Sequence, residues 1–169
     1  MLAALSNATP KIAPYAFTTL HPNIGVVQYS DGVGVTLADI PGLIDGAHEN
    51  RGLGHEFLKH IERTKTILYV LDGAGTEDRQ PHKDLESLIY ELEKYDASLL
   101  KKPSFVFSNK DDLINDENSN LKSRLIEETQ QRGLLLLSGS ADTCEGIENL
   151  ANQLRIFIEE ERANFKVNE

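Results

Sequence analysis

Hydrophobic and polar positions near the start of the chain follow the two-residue period of a β-strand. The runs Ile24–Tyr29 and Val33–Asp39 predict two strands, and in the second run the apolar side chains fall on one face. Between the two runs lies Asp31-Gly32, a residue pair that favours a tight hairpin turn. The pattern therefore predicts an antiparallel hairpin.

Three later runs are apolar without alternation and end in polar residues. They are Thr66–Leu71, Ser104–Ser108 and Leu134–Leu137. Continuous apolar runs of this length are typical of parallel strands that are buried on both faces. Asp72 follows the first run and Asn109-Lys110 follows the second, so polar groups are expected at the carboxyl ends of these strands.

Between the strands the apolar residues follow helical spacing. Two stretches show it clearly, with Leu85, Leu88, Ile89 and Leu92 in the first and Ile147, Leu150, Leu154 and Phe157 in the second. Shorter helices are predicted at Gly54–Glu62 and Leu121–Gln131. The alternation of strands and helices predicts an α/β fold, in which an open, mostly parallel sheet carries helices on both faces.

Composition and charge narrow the classes of function. An apolar fraction of 40% and a charged fraction of 26% fit a globular domain, and 169 residues suffice for one core. The formal net charge of −10 opposes the nucleic-acid backbone, so we expect no direct nucleic-acid binding. We expect no membrane span, because no apolar run approaches the roughly 20 residues required, and no targeting segment at Met1–Leu5.

The loop after the Ser104–Ser108 run carries the most specific chemistry. Its sequence is Asn109-Lys110-Asp111-Asp112. The Asp112 carboxylate can accept two hydrogen bonds from the N1–H and exocyclic amino group of guanine, a pair of donors that adenine lacks. Lys110 can lay its methylene stem along the base, and Asn109 can tie the loop to its neighbours. After a buried strand, this pattern favours guanine recognition over a plain polar loop.

A second candidate loop, Asp39-Ile40-Pro41-Gly42, follows the second strand of the predicted hairpin. A carboxylate at a strand end can hold Mg²⁺, usually through water, and Gly42 offers an unhindered N–H to a phosphate. Taken alone, the segment is better explained as a strand-terminating turn, since Asp, Pro and Gly are all turn residues.

Two weaker signals complete the candidate site. Ser140-Ala141-Asp142 follows a strand and could point backbone N–H groups at the O6 atom of guanine. Phe17-Thr18-Thr19 lies in an irregular stretch before the hairpin, where a threonine hydroxyl could complete a magnesium shell and touch a γ-phosphate. Each signal is weak by itself, because small polar residues are common in loops.

Together these motifs resemble the G domain of Obg-family GTPases, a branch of the P-loop GTPases. Lys11–Leu20 resembles switch I of that family, and Asp39–His48 resembles its third G motif and switch II. Gly52–Thr64 is the most specific stretch, because it separates Obg proteins from related translational GTPases. The resemblance covers essentially the whole chain. It implies a P-loop-GTPase-like three-layer sandwich with a mostly parallel sheet, with residues 1–169 forming part of one G domain, from switch I to the C-terminal helix.

The resemblance also implies roles for the candidate residues, with GTP or GDP and Mg²⁺ as cofactors. Thr19 would bind magnesium and the γ-phosphate, Asp39 would hold magnesium through water, and the Gly42 N–H would sense the γ-phosphate. Guanine would be read by Asn109, Lys110 and Asp112, with Ser140 and Ala141 at its O6 atom. The nucleotide-contacting segments would further include Phe17, Thr18 and Pro41.

No catalytic residue is assigned by the resemblance. Leu43 stands where many small GTPases place the glutamine that orients the attacking water, and a leucine cannot do so. Intrinsic hydrolysis is therefore expected to be slow, and whether the chain is an enzyme stays open. The family implies the large ribosomal subunit or its assembly intermediates as partner, and a mitochondrial or nucleolar location in a eukaryote or a cytoplasmic one otherwise.

The sequence departs from the family at the phosphate-binding loop. The 169 residues contain no Gly-x-x-x-x-Gly-Lys-Ser/Thr motif, and Leu2–Ala8 resembles the stretch that follows this motif in the family. The first strand and phosphate loop are therefore expected to be missing, as is the N-terminal Obg domain. The missing strand would lie between the Val33–Asp39 and Thr66–Leu71 strands, so its loss would expose two sheet edges.

Three interpretations follow. The favoured one is a GTP-binding protein of the Obg type, or a fragment of one, with GTP hydrolysis coupled to ribosome assembly. The second is a non-catalytic remnant that serves as a protein or ribosome interaction module without tight nucleotide binding. The third is a GTPase completed by a strand and loop from elsewhere.

Overall fold

The computed structural model describes residues 1–6, 11–12, 23–39 and 61–167. Within these ranges the strands are β1 (Lys11–Ile12), β2 (Asn23–Gln28), β3 (Gly34–Asp39), β4 (Ile67–Asp72), β5 (Ser104–Asn109) and β6 (Leu135–Ser138). The α-helices are α1 (Leu2–Leu5), α2 (Pro81–Asp96), α3 (Ser119–Gln131) and α4 (Ile147–Val167). Short 3₁₀ turns lie at Thr76–Asp78, Ala97–Lys101 and Asp111–Leu113.

A parallel sheet forms the centre of the fold, with β5 between β4 and β6. The side chains of Phe105, Val106 and Phe107 in β5 are fully buried, as expected for a parallel strand covered on both faces. All three predicted apolar strands are therefore confirmed, and each observed strand differs from its predicted bounds by a single residue at one or both ends.

Helices cover both faces of this sheet and make three layers. On one face Tyr69 and Val106 pack against leucines of α2 and α3. On the other face Phe105 and Phe107 pack against α4, and the ring centroids of Phe105 and Phe157 lie 4.6 Å apart. This arrangement confirms the predicted α/β class.

Helix α2 begins and ends with residue types that favour those positions. The first residue of α2 is Pro81, whose fixed φ suits a first helical turn, and Lys94 lies in its last turn, where a cation complements the helix dipole.

Of the predicted Gly54–Glu62 helix, residues 61 and 62 are helical and the rest lies outside the described residues. No helix in the described ranges has both the length and the apolar character needed to cross a membrane.

The predicted hairpin is also confirmed, since β2 and β3 pair in antiparallel register from Asn23 opposite Asp39 to Gln28 opposite Gly34. At its turn, Gly32 has a φ of 82°, a left-handed conformation that glycine adopts without strain. A difference from the sequence prediction is β1, because no strand is predicted at Lys11–Ile12, which pairs with β2. A strand of two residues is too short to show a periodic pattern. Its formation depends on pairing with the neighbouring strand, which the local sequence does not reveal.

The hairpin is anchored on α4 and α1. The Tyr29 hydroxyl donates a hydrogen bond of 2.6 Å to the carbonyl of Ala151, and the Arg155 guanidinium lies 5.1 Å from the centroid of the Tyr29 ring. Arg155 also pairs with Asp31 in the hairpin turn. At the other side, the Ser6 hydroxyl donates to the carbonyl of Val26 at 3.2 Å.

The described strands form two sheets, an antiparallel one of β1, β2 and β3 and a parallel one of β4, β5 and β6. Within the described residues β3 pairs only with β2, and β4 pairs only with β5. A cavity of about 910 Å³ lies between β3 and β4, lined by both strands and by apolar side chains that include Leu5, Leu92 and Leu154. The two sheets separate at the place where the sequence analysis expects a missing strand. The strands on either side, β3 and β4, are the two that were expected to have exposed edges.

We predict that truncation of α4 destabilises the fold on the face that packs against the core and not on its exposed face. Leu150 is fully buried, so Leu150→Ala should lower the free energy of unfolding by about 2–5 kcal/mol, measured by urea denaturation with circular dichroism. Ile156→Ala on the same helix is the control, because Ile156 is 45% exposed and its truncation should change stability by less than about 0.5 kcal/mol. Equal losses in the two variants would contradict this packing.

Candidate functional site

Polar loops meet at the carboxyl end of the parallel sheet. The register places Asp72 of β4 opposite Asn109 of β5, and Ser108 opposite Ser138 of β6. Backbone hydrogen bonds continue past the strands, from the Gly73 N–H to the Asn109 carbonyl at 2.8 Å and from the Gly139 N–H to the Ser108 carbonyl at 3.0 Å. This end of an open α/β sheet is where ligands bind in such folds.

Asn109 joins the loops after β5 and β6. Its side-chain Oδ1 accepts a hydrogen bond of 2.9 Å from the backbone N–H of Ala141. The backbone N–H of Asp111 donates to the Gly139 carbonyl at 3.0 Å, which adds a second connection. The structure therefore brings the base motif and the Ser140-Ala141 segment together, with Asn109 as the tie between them.

The two adjacent aspartates of the motif differ in their contacts. Asp111 accepts a hydrogen bond of 2.8 Å from the buried hydroxyl of Ser108 and pairs with Lys122 at 2.5 Å. Asp112 is exposed, and no hydrogen bond or ion pair among the described residues uses its carboxylate. Asp111 thus supports the loop, while Asp112 is available to a ligand.

Gly73 permits this close packing. A Cβ atom at Gly73 would lie 2.0 Å from the Ser108 hydroxyl oxygen and 3.0 Å from a carboxylate oxygen of Asp111. No side chain other than hydrogen fits without displacing the Ser108–Asp111 contact.

Lys110 contacts the loop after β4. Its Nζ atom lies 2.8 Å from Asp72 Oδ2 and 2.8 Å from Thr76 Oγ1, and its side chain is 44% exposed. Burial alone would raise the pKa of Asp72, but hydrogen bonds from Lys110 and Thr76 outweigh it and hold the pKa below its usual value. Sequence reasoning assigned no role to Asp72 or Thr76, although an aspartate directly after a buried strand was a signal that could have suggested one.

Ser140 organises its loop from a buried position. Its hydroxyl accepts hydrogen bonds of 3.2 Å from the N–H groups of Asp142 and Thr143, and its own N–H donates to the Glu145 carbonyl at 2.9 Å. The N–H groups of Ser140 and Ala141 thus both have acceptors within the chain. A contact from either group to guanine O6 would have to be shared with these acceptors or replace them.

The phosphate-side candidates are mostly outside the described residues. These are Phe17, Thr18, Thr19, Pro41 and Gly42, with Leu43 beside them. Asp39 is described, and its exposed side chain ends β3 in the antiparallel sheet, where it lines the cavity between β3 and β4. No cluster of three or more His, Cys, Asp or Glu side chains able to hold a metal occurs in the described ranges.

The described loops are therefore suited to recognition of a planar base. They offer the exposed Asp112 carboxylate, the partly exposed stem of Lys110 in the same loop and a hydrogen-bonded connection between two strand ends. A base with two adjacent N–H donors satisfies the carboxylate, whereas a base without them leaves a desolvated charge unpaired.

Solved structures with this fold are G domains of GTP-binding proteins. A putative nucleolar GTP-binding protein 1 from Plasmodium falciparum aligns with a TM-score of 0.71 and 19% identity, over 98% of this chain and 82% of that chain. The G domain of the T. maritima FeoB iron transporter aligns with a TM-score of 0.60 and 19% identity, over 92% and 87% of the two chains. The fold is thus that of a G domain.

The sequence places the chain in a family within that class. The profile of the family described as 50S ribosome-binding GTPases matches residues 1–110. GTPase Obg of Alkaliphilus metalliredigens is 47% identical over 160 residues, and GTPase Obg of Symbiobacterium thermophilum is 49% identical over 149 residues. A probable mitochondrial GTP-binding protein, OBGM of Oryza sativa subsp. japonica, is 48% identical over 161 residues. The chain belongs to the 50S ribosome-binding GTPase family, within its Obg branch.

The chain spans roughly a third of the length of these curated relatives. The matches cover 95%, 88% and 92% of this chain but 37%, 35% and 29% of the three relatives. Family membership therefore rests on the G domain.

The pairing around Asp72 predicts a pH-dependent contribution to stability. The folded state lowers the pKa of Asp72. The ionised Asp72 carboxylate therefore stabilises the fold at any pH above its unfolded pKa of about 4. This stabilisation is lost as the pH falls further, through the lower pKa of the folded state. The difference in urea midpoint between the wild type and Asp72→Asn should therefore be larger at pH 7 than near pH 3. Lys110→Met should show the same trend, since it removes the pair from the other side. A difference that does not change with pH would contradict the ion pair.

Proposed function

We propose that this chain binds guanine nucleotides through the loops after β5 and β6. The observation that carries the proposal is the tie from Asn109 to the Ala141 N–H, which holds the two loops together beside the exposed Asp112 carboxylate. In this proposal Asp112 accepts the N1–H and amino protons of guanine, and the Lys110 stem lies against the base. Family membership supports the same assignment.

The described residues include fewer candidate contacts to the phosphates of the nucleotide than to its base. The 169 residues contain no Gly-x-x-x-x-Gly-Lys-Ser/Thr motif, and only Asp39 among the phosphate-side and magnesium candidates is described. A bound Mg²⁺ would neutralise phosphate charge, and Thr19 and Asp39 are the residues proposed to hold it. The affinity of the chain itself is then expected to come mainly from the base.

For the whole protein we propose GTP hydrolysis coupled to assembly of the large ribosomal subunit. Support comes from the family, described as 50S ribosome-binding GTPases, and from relatives that are called GTPase Obg. A relative described as mitochondrial makes mitochondria one candidate location in a eukaryote, beside the nucleolus. Leu43 stands in place of a water-orienting glutamine, so slow hydrolysis is part of the proposal.

A second candidate function is a protein or ribosome interaction module without tight nucleotide binding. The cavity between β3 and β4 favours it, because it is lined by two strands that have no common partner in the described part of the chain. Arg63, Lys65 and Arg162 also line this cavity, in a chain with a formal net charge of −10. An unpaired strand edge is a common acceptor for a partner segment.

Titration of a fluorescent GDP analogue into the purified chain with Mg²⁺ tests the proposal. We expect saturable binding that unlabelled GTP displaces and ATP does not. Because the base supplies most of the affinity, guanosine and GMP should compete nearly as well as GDP. Much stronger competition by GDP than by guanosine would show that phosphate contacts contribute after all.

A negative result is informative in the same experiment. If circular dichroism shows a folded chain that binds no guanine nucleotide, the first proposal fails and the interaction module is favoured. Competition by ATP as strong as that by GTP would contradict the role of Asp112 in base selection.

Replacing Asp112 should change base selection with little effect on the fold. Asp112→Asn removes a charged acceptor of two hydrogen bonds, so guanine-nucleotide affinity should fall roughly ten- to a hundredfold. Asp116→Asn is the matched control, because it removes the same charge from an exposed position later in the same segment. Competitive titration measures both variants, and equal behaviour of the two would mean that Asp112 does not contact the base.

A further inference from the structure

Three residues at the edge of the proposed guanine site form a closed set of hydrogen bonds. The Lys110 ammonium donates to Asp72 Oδ2 and to Thr76 Oγ1, each at 2.8 Å. The Thr76 hydroxyl in turn donates to the same oxygen of Asp72. Each of the three side chains therefore contacts the other two, an arrangement that we call the Lys110 clamp.

The clamp differs from an ordinary surface ion pair. Only 11% of the Asp72 side chain is exposed, and its second oxygen, Oδ1, is buried without a hydrogen-bond partner in the described part of the chain. When only one oxygen of a buried carboxylate has hydrogen-bond partners, losing those partners leaves a buried charge unpaired, which is costly. The ammonium of Lys110 is thus held more firmly than exposed lysines usually are.

The other end of the lysine is fixed by the backbone. Lys110 has a φ of 64°, in the left-handed region that few non-glycine residues adopt. The 3₁₀ turn Asp111–Leu113 begins at the next residue. Since both the backbone and the ammonium of Lys110 are held, the path of the four methylene groups between them is restricted, and the side chain is still 44% exposed.

The turn that supplies Thr76 is itself strained. Gly75, Glu77 and Asp78 all have positive φ values, of 66°, 59° and 58°. Left-handed conformations are unfavourable for residues other than glycine, and such strain persists where surrounding contacts impose it. Here the contacts are the Thr76–Asp72 bond and a hydrogen bond of 3.1 Å from the Asn118 side chain to the Ala74 carbonyl.

We infer that Asp72 and Thr76 are positioning residues for base binding: by holding the Lys110 ammonium, they fix its methylene stem as a surface for one face of the purine. This inference rests on the proposed guanine site. It assigns Asp72 and Thr76 no contact with the nucleotide. Their effect on affinity passes through Lys110 alone.

The first test does not need nucleotide. Acetylation of Lys110 by an amine-reactive ester, followed by peptide mass spectrometry on the whole chain, reports how often the ammonium leaves the clamp. Asp72→Asn and Thr76→Val should speed acetylation of Lys110 roughly two- to tenfold, the range expected for loss of one such hydrogen bond. Thr76→Ser keeps the hydroxyl and should restore the wild-type rate, and Glu77→Gln removes an exposed charge from the same turn and should not change it. Equal rates in all variants would overturn the clamp.

The second test measures affinity for GDP and for IDP, which lacks the exocyclic amino group. Asp72→Asn and Thr76→Val should weaken both by the same factor, roughly two- to tenfold, because the stem contacts the face of any purine. The ratio of GDP to IDP affinity should stay constant in these variants and change in Asp112→Asn. The double variant Lys110→Met with Asp72→Asn should bind as weakly as Lys110→Met alone, because both substitutions remove the same interaction.

The outcomes separate the two proposals. If the wild type binds neither nucleotide, the guanine site and the positioning role both fail. If the wild type binds GDP selectively but Asp72→Asn lowers only the melting temperature and leaves affinity unchanged, the guanine site stands and Asp72 is merely structural. An additive effect of Asp72→Asn on Lys110→Met would also overturn the positioning role.

Discussion

The burial of β5 on both faces is the constraint on which the rest of the structure depends. Phe105, Val106 and Phe107 have no exposed surface, so a shift of β5 by one residue would exchange the side chains that α2 and α4 cover. This fixed register aligns the ends of β4, β5 and β6. The candidate site is a consequence of that alignment, because its polar loops begin where the three strands end.

The loops at this edge are rigid for reasons of their own. Asn109 joins two of them, Ser108 and Lys122 hold Asp111, and the Lys110 clamp adds the loop after β4. Several polar groups in these loops are satisfied within the chain, and Asp112 is exposed among them. A preorganised acceptor of this kind selects its ligand by leaving the wrong one unpaired, which is how a small site achieves base selectivity.

The antiparallel hairpin sheet and the parallel sheet are connected mainly through helices. Tyr29 and Arg155 fix the hairpin to α4, and Ser6 fixes α1 to β2. Between β3 and β4 lies the cavity, whose walls include the buried residues Leu5 and Leu92. The loops of the proposed guanine site therefore follow strands of the parallel sheet, while Asp39 lies in the hairpin sheet, whose edge strand β3 faces the cavity.

The sequence by itself determined five of the six described strands, the hairpin turn, the main helices and the family, and it predicted the guanine-reading motif. It could do so because these features depend on local periodicity and on residue types at fixed spacing: the β5 run, Asp31-Gly32 and Asn109–Asp112 can each be read without knowing their neighbours. Only the tertiary structure decided that Asp111 turns inward while Asp112 is exposed, and that Asp72 and Thr76 hold Lys110. Those outcomes depend on contacts between residues far apart in the chain, such as the 38 positions from Asp72 to Lys110, and no local pattern encodes such a contact.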